Sequence, residues 1–160
     1  GSPVSIRYPR GKGVGVPLDN EILTLPLGKG EVLREGSDLA MIAVGCTVYP
    51  ALKAAQKLAE EGIEAKVINA RFIKPLDAEL ILSTAASVKK ILTIEENVLD
   101  GGFGSAVLEL LAAKGVTGTT VRRLGIRDKF VEHAKQSELR AQLGLDEEGI
   151  LQAAREMLKA

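Results

Sequence analysis

From residue 30 onward, unbroken apolar runs alternate with apolar positions at helical spacing. Leu39–Val44 (LAMIAV) is a continuous apolar run, the pattern of a strand buried on both faces. Thr47 suits a helix cap, and Pro50 is tolerated in a first turn. Leu52, Ala55, Leu58 and Ala59 then recur as one helical stripe, and Gly62 ends it. Ala65–Asn69 predicts the next strand. Asp77 predicts a cap for a helix reaching Val88, with Leu80, Ile81, Thr84, Ala85 and Val88 turned inward. Lys90–Ile94 (KILTI) is another buried strand. Phe103, Val107, Leu110 and Leu111 mark a helix that stops at Gly115. Thr119–Leu124 is the last predicted strand, and Ser137 and Asp146 start two closing helices. Ile150, Leu151, Ala154 and Leu158 give the final one its apolar face, with Glu147 and Glu148 at its positive end.

A short strand, Glu31–Arg34, precedes this series. The repeated strand–helix units require parallel strands joined by right-handed crossovers. Glu31–Arg34 reaches Leu39 through the tight turn Glu35-Gly36-Ser37, so those two strands are expected as antiparallel neighbours. The predicted fold class is α/β: a three-layer α/β/α domain with a mixed, mostly parallel five-stranded sheet.

The chain before residue 29 has a different texture. Gly1-Ser2-Pro3 looks like a cloning scar. Val4–Tyr8 (VSIRY) alternates like a short strand, and Pro9 stops it. Arg10–Val16 carries three glycines and a lysine but matches no phosphate-loop fingerprint. Gly11–Gly28 has no sustained period and reads as a linker, which suggests a domain upstream. Residues 1–28 are therefore expected to be scar, the end of a preceding domain and linker, and residues 29–160 one domain.

Composition narrows the function classes. The chain has 160 residues, 46% apolar and 26% charged, as a globular domain should. Only 3% are aromatic, so the core must be Leu, Ile, Val and Ala, the usual filling of a covered parallel sheet. Net charge is zero with both signs interspersed, which argues against a nucleic-acid footprint. No run of eighteen apolar residues and no secretory signal is present, so neither membrane insertion nor export is expected, and the cytoplasm is the expected compartment. Cys46 is the only cysteine and defaults to small core packing.

The candidate chemistry gathers around Ile91–Val107 (ILTIEENVLDGGFGSAV). A strand, a loop and a helix start make the kind of turn where α/β sheets place ligands. Glu95 and Glu96 are adjacent, so they point to opposite faces and do not form a cooperating pair. One is expected solvated, the other capping a loop or pairing across an interface. Gly101, Gly102 and Gly104 could expose amides to an anion. The dinucleotide spacing fails, however, because Val107 stands where the third glycine or alanine belongs. Close backbone packing is the preferred use of these glycines. His133 is the only histidine and lacks companions for a metal site. It is expected in a loop or interface, as a candidate ligand-proximal residue. Arg71 and Lys74 follow a strand, and their simplest use is surface ion pairing. By themselves these residues give no self-sufficient catalytic constellation.

Several stretches in order carry a resemblance. They are Ile6-Arg7-Tyr8-Pro9-Arg10-Gly11, then Arg71-Phe72-Ile73-Lys74-Pro75-Leu76-Asp77, then Glu95-Glu96-Asn97 before Gly101-Gly102-Phe103-Gly104-Ser105. Leu124 through His133 (LGIRDKFVEH) and Leu143-Gly144-Leu145-Asp146 complete the set. Together they resemble the C-terminal part of the 1-deoxy-D-xylulose-5-phosphate synthase family, which are transketolase-like thiamine diphosphate enzymes. The resemblance implies a parent enzyme that joins pyruvate, after decarboxylation, to glyceraldehyde 3-phosphate, feeding isoprenoid, thiamine and pyridoxal synthesis. It implies thiamine diphosphate and Mg²⁺ in N-terminal and middle domains outside this chain, with no cofactor on this fragment. It also implies a homodimer in which this part packs and assembles without catalysing. Glu95, Glu96, Gly101, Gly102, Phe103 and Gly104 are then interface residues. Arg10, with Arg7 as alternate, is the substrate-phosphate-binding candidate, since a guanidinium grips a phosphate bidentately. Two other readings stand beside this one: the matching domain of a 2-oxo acid dehydrogenase β subunit, and an independent small-anion-binding module at Gly101–Ser105.

Overall fold

The computed structural model describes residues 3–9, 11, 13, 15–16, 20–21 and 23–159. Regular structure begins at residue 31. The strands are β1 (Glu31–Arg34), β2 (Leu39–Ala43), β3 (Ala65–Asn69), β4 (Lys90–Val98) and β5 (Thr120–Ile126). The helices are α1 (Val48–Glu60), α2 (Ala78–Ser87), α3 (Phe103–Ala113), α4 (Gln136–Leu143) and α5 (Glu147–Lys159). A short 3₁₀ turn, Gly45–Thr47, leads into α1.

The sheet order is β1-β3-β2-β4-β5. β2 pairs parallel with β3 and β4, and β4 parallel with β5, while β1 runs antiparallel to β3. From β2 the chain steps to β3 on one side, then crosses back to β4 on the other. Right-handed crossovers must put α1 and α2 on opposite faces when the direction reverses. They lie so: α1 and α5 bury Leu39, Met41, Leu92 and Ile94 on one face. α2 and α3 bury Ala40, Ile42, Ile68 and Ile91 on the other. This is the expected three-layer arrangement, with every residue of β2 buried.

One pairing differs from expectation. β1 is antiparallel, but its neighbour is β3, not β2. After β1 the chain passes over the start of β3, and Gly36 is the crossing point. A side chain there would collide with the backbone of Glu64, Ala65 and Lys66. Asp38 then fastens the far side: its amide donates to the Glu64 carbonyl (3.0 Å) and its carboxylate accepts from the Glu64 amide (2.7 Å). A glycine in a tight turn looks the same in sequence whether the chain doubles back or steps over a neighbour.

Other boundaries also moved. Residues 4–8 form no strand, because none of them pairs with a described strand of the sheet. β4 runs four residues past Ile94, with a register slip against β5 between Ile94 and Val98. Thr47 precedes α1 without capping it by its side chain. Its hydroxyl instead sits 3.0 Å from the carbonyl oxygens of both Val44 and Ile94 and ties the end of β2 to the middle of β4. α1 buries Val48, Ala51, Ala54, Ala55 and Leu58, so Leu52 and Ala59 stand at the margin of its face. Small residues at 51, 54 and 55 let the helix lie close to the sheet. Asp77 caps α2 as expected, its carboxylate accepting from the Leu80 amide at 3.1 Å. Helix α4 begins at Gln136, one residue before Ser137. Asp146 does start α5, accepting from the Gly149 amide at 2.9 Å.

Candidate functional site: the turn from β4 to α3

The strand order reverses between β2 and β4, so their carboxyl ends frame the crevice where open α/β sheets take ligands. The β4–α3 turn forms one wall of it. Along β4 the side chains alternate between the two helical layers. The register slip carries this alternation through Glu95 and Glu96 and on to Val98.

Glu95 points to the α3 side and is 1% exposed. Its two carboxylate oxygens accept from the amides of Phe103 (2.7 Å) and Gly104 (2.8 Å). Those are orphan donors in the first turn of α3, which has no side-chain cap of its own because Gly102 stands at the cap position. A carboxylate at a helix N-terminus is favoured by both the hydrogen bonds and the helix dipole. Glycines make the approach possible. A side chain at Gly102 would collide with the Val98 carbonyl and the Glu95 carboxylate, and one at Gly104 with the Thr93 hydroxyl. Gly125 of β5 leaves room on the other side, since a Cβ there would come within 3.1 Å of Glu95 Cγ. Only Gly101 needs its freedom for dihedral reasons, at φ +71°. Arg123 of β5 clamps the turn, donating to the Leu99 carbonyl (2.8 Å) and the Ser105 hydroxyl (2.7 Å).

Glu96 points to the other layer. Its carboxylate accepts from Arg140 of α4, from Nε at 2.8 Å and from Nη2 at 3.4 Å. Its backbone carbonyl accepts from Arg7 Nη2 at 2.7 Å. Cys46, on the turn after β2, faces the same pair. Burial pushes its thiol up, the Glu96 charge pushes it further, and Arg140 opposes. The Glu96 carboxylate in turn holds Arg140 even more firmly protonated than a free guanidinium.

The structure therefore splits the predicted site. Glu95, Gly102, Phe103 and Gly104 come together, but inside this chain. All four are buried within this chain. Gly101 is exposed and Glu96 is half-buried. The amides of Gly102, Phe103 and Gly104 already have acceptors, which removes the anion cradle expected of a small-anion module. His133 is exposed on the segment after β5. Arg71 pairs with Glu31 at 2.5 Å and holds φ +56°, steadied by the Asn69 side chain accepting from its amide at 3.1 Å. Lys74 is exposed. Arg10 lies outside the described residues. Arg140, Arg123 and the Cys46–Glu96 contact were not signalled by sequence, because each joins residues far apart in the chain.

Among the described residues no group of three or more His, Cys, Asp or Glu side chains could hold a metal ion. No helix among them is long and apolar enough to cross a membrane. With Glu95 occupied at the α3 terminus and Glu96 on Arg140, these residues do not fit a metal–diphosphate site.

Residues 28–150 match the family model described as the transketolase C-terminal domain. The chain is 59% identical over 99% of its length to 1-deoxy-D-xylulose-5-phosphate synthase 1 of Geobacter sulfurreducens, covering 25% of that protein. It is likewise 59% identical over 99% of its length to the 1-deoxy-D-xylulose-5-phosphate synthase of Syntrophus aciditrophicus, covering 24% of it. The chain thus spans about a quarter of the length of the curated relatives it matches. A solved structure described as a split gene transketolase, inactive beta4 tetramer, superposes with a TM-score of 0.79 at 34% identity, over 86% of this chain and 44% of that one. The fold, the family match and these relatives agree, and the chain belongs to the transketolase C-terminal domain family.

Proposed function

We propose that residues 29–160 form the non-catalytic C-terminal domain of a cytoplasmic, homodimeric, thiamine-diphosphate-dependent 1-deoxy-D-xylulose-5-phosphate synthase. The observation that carries the non-catalytic part is the engagement of both carboxylates of the β4–α3 turn within the chain. Neither is left to move a proton on a substrate. The identity of the parent enzyme rests on relatives similar along nearly the whole chain. In this reading the parent joins decarboxylated pyruvate to glyceraldehyde 3-phosphate, and thiamine diphosphate and Mg²⁺ belong to the domains upstream. Arg10, with Arg7 as alternate, remains the candidate for the aldehyde phosphate. Arg7 donates to the Glu96 carbonyl in this chain, which favours Arg10 for that role.

Two measurements test the reading. The full-length parent, given pyruvate, glyceraldehyde 3-phosphate, thiamine diphosphate and Mg²⁺, is expected to release CO₂ and form the five-carbon phosphate. Oxidation of a 2-oxo acid instead would assign it to the dehydrogenase branch. Calorimetry on the 160-residue chain is expected to show no thiamine diphosphate binding, and micromolar affinity would overturn the non-catalytic assignment.

A further inference from the structure

Helices α1, α2, α3 and α5 each bury three or more residues. All eight residues of α4 are exposed or half-buried, and no side chain caps its first turn. A helix this short has little stability of its own in water, so it persists through its attachments. Leu143, in the last turn, packs on the core that α1 and α5 share. Arg140 reaches across to the Glu96 carboxylate of β4, from Nε at 2.8 Å and from Nη2 at 3.4 Å. At the start of the helix the Gln136 side chain lies beside Gly11.

The flanks of α4 have the same character on one side only. Residues 127–135, which lead in from β5, are exposed apart from the half-buried Ala134. On the other side Gly144 turns the chain at φ +68°, and Leu145 beyond it is fully buried. The chain is thus fixed at Ile126, where the β4–β5 ladder ends, and again at Leu145. Between those points few apolar groups are buried, which is where native proteins open first. The Arg140 guanidinium lies against the Cys46 thiol as well as the Glu96 carboxylate, and both of those residues are half-buried.

We propose that residues 127–143 are a strap that opens as one unit while the rest of the domain stays folded, with the Arg140–Glu96 pair as its catch. Opening breaks no hydrogen bond of the sheet, because the ladder stops before the strap begins. It carries Arg140 away from the crevice between β2 and β4 and exposes Cys46 and Glu96 there. An ion pair at the margin of solvent suits a catch: it adds a modest hold and is lost when either partner goes.

Native-state amide hydrogen exchange on the 160-residue chain, followed by NMR, reads the opening directly. After correction for intrinsic rates, the amides of residues 139–143 should exchange together, at least about tenfold faster than those of residues 150–157 in α5. Arg140→Met and Glu96→Ala should each speed exchange in α4 about fivefold and leave α5 unchanged. The double variant should exchange no faster than either single one, since both act through one contact. Cys46 gives a second readout. Its alkylation rate at high pH, where the thiol is fully ionised, should rise in Arg140→Met, and this plateau is independent of any change in the thiol's midpoint. Exchange of α4 at the rate of α5 would overturn the proposal, because the segment would then open only with the whole domain. Arg140→Met that speeds both helices equally, or neither, would overturn it too, as would an unchanged alkylation plateau.

Discussion

Replacing Glu95 by Ala would leave the amides of Phe103 and Gly104 buried without acceptors. Each such loss costs about 1–3 kcal/mol, so Glu95→Ala should lower stability by roughly 2–6 kcal/mol in urea titrations. Gly102→Val forces a side chain against the Val98 carbonyl and the same carboxylate. It should cost at least about 2 kcal/mol, and unchanged stability would show that the turn can open. Cys46 gives a second readout at this scale. Its thiol is raised by burial and by Glu96 and lowered by Arg140. The pH midpoint for alkylation should lie above that of a free cysteine, fall in Glu96→Gln and rise in Arg140→Met. As the only cysteine, Cys46 is the sole site such labelling can report. That Glu95 and Glu96 diverge was legible in sequence, because alternation along a strand is a property of neighbours. Which way each one faced was not, because it depends on α3 and α4 packing from opposite sides.

Helix α2 shows what capping does for a whole element. Asp77 accepts from Leu80 within its own helix and from the Gly30 amide (3.0 Å) at the start of β1. Burial works against its charge, but the two amides and the Lys29 ammonium outweigh it, and the carboxyl sits below the usual range. A carboxyl lowered by folding stabilises the native state above its unfolded value near ~3.9, and that contribution is lost as pH falls through the folded value. Acid titration of stability should therefore steepen below about pH 4, and Asp77→Asn should remove part of that slope. The elements themselves were legible because their signals are local: apolar runs for β2 and β4, a capping aspartate for α2, a glycine stop for α3. The missing strand at residues 4–8 shows the limit. Its alternation is genuine, but a strand exists only where a neighbour accepts its hydrogen bonds.

For the whole molecule, the parallel sheet and its two helical layers followed from the order of strands and helices together with right-handed crossovers. The place of β1 did not follow, because nothing in a four-residue strand names its partner. That placement has a kinetic consequence. Of these five strands β1 and β2 are synthesised before β3, yet they flank β3 and do not touch each other as strands. No early hairpin is available to them. The first stable unit must be β2–α1–β3, and β1 can close against β3 only after some thirty further residues are made. Until then the chain at Gly36 has nothing to cross. A bulky residue at that point would burden the late closing step, and Gly36→Val should slow refolding more than it speeds unfolding if β1 docks before the rate-limiting barrier. Stopped-flow chevrons of the two chains would read that order directly.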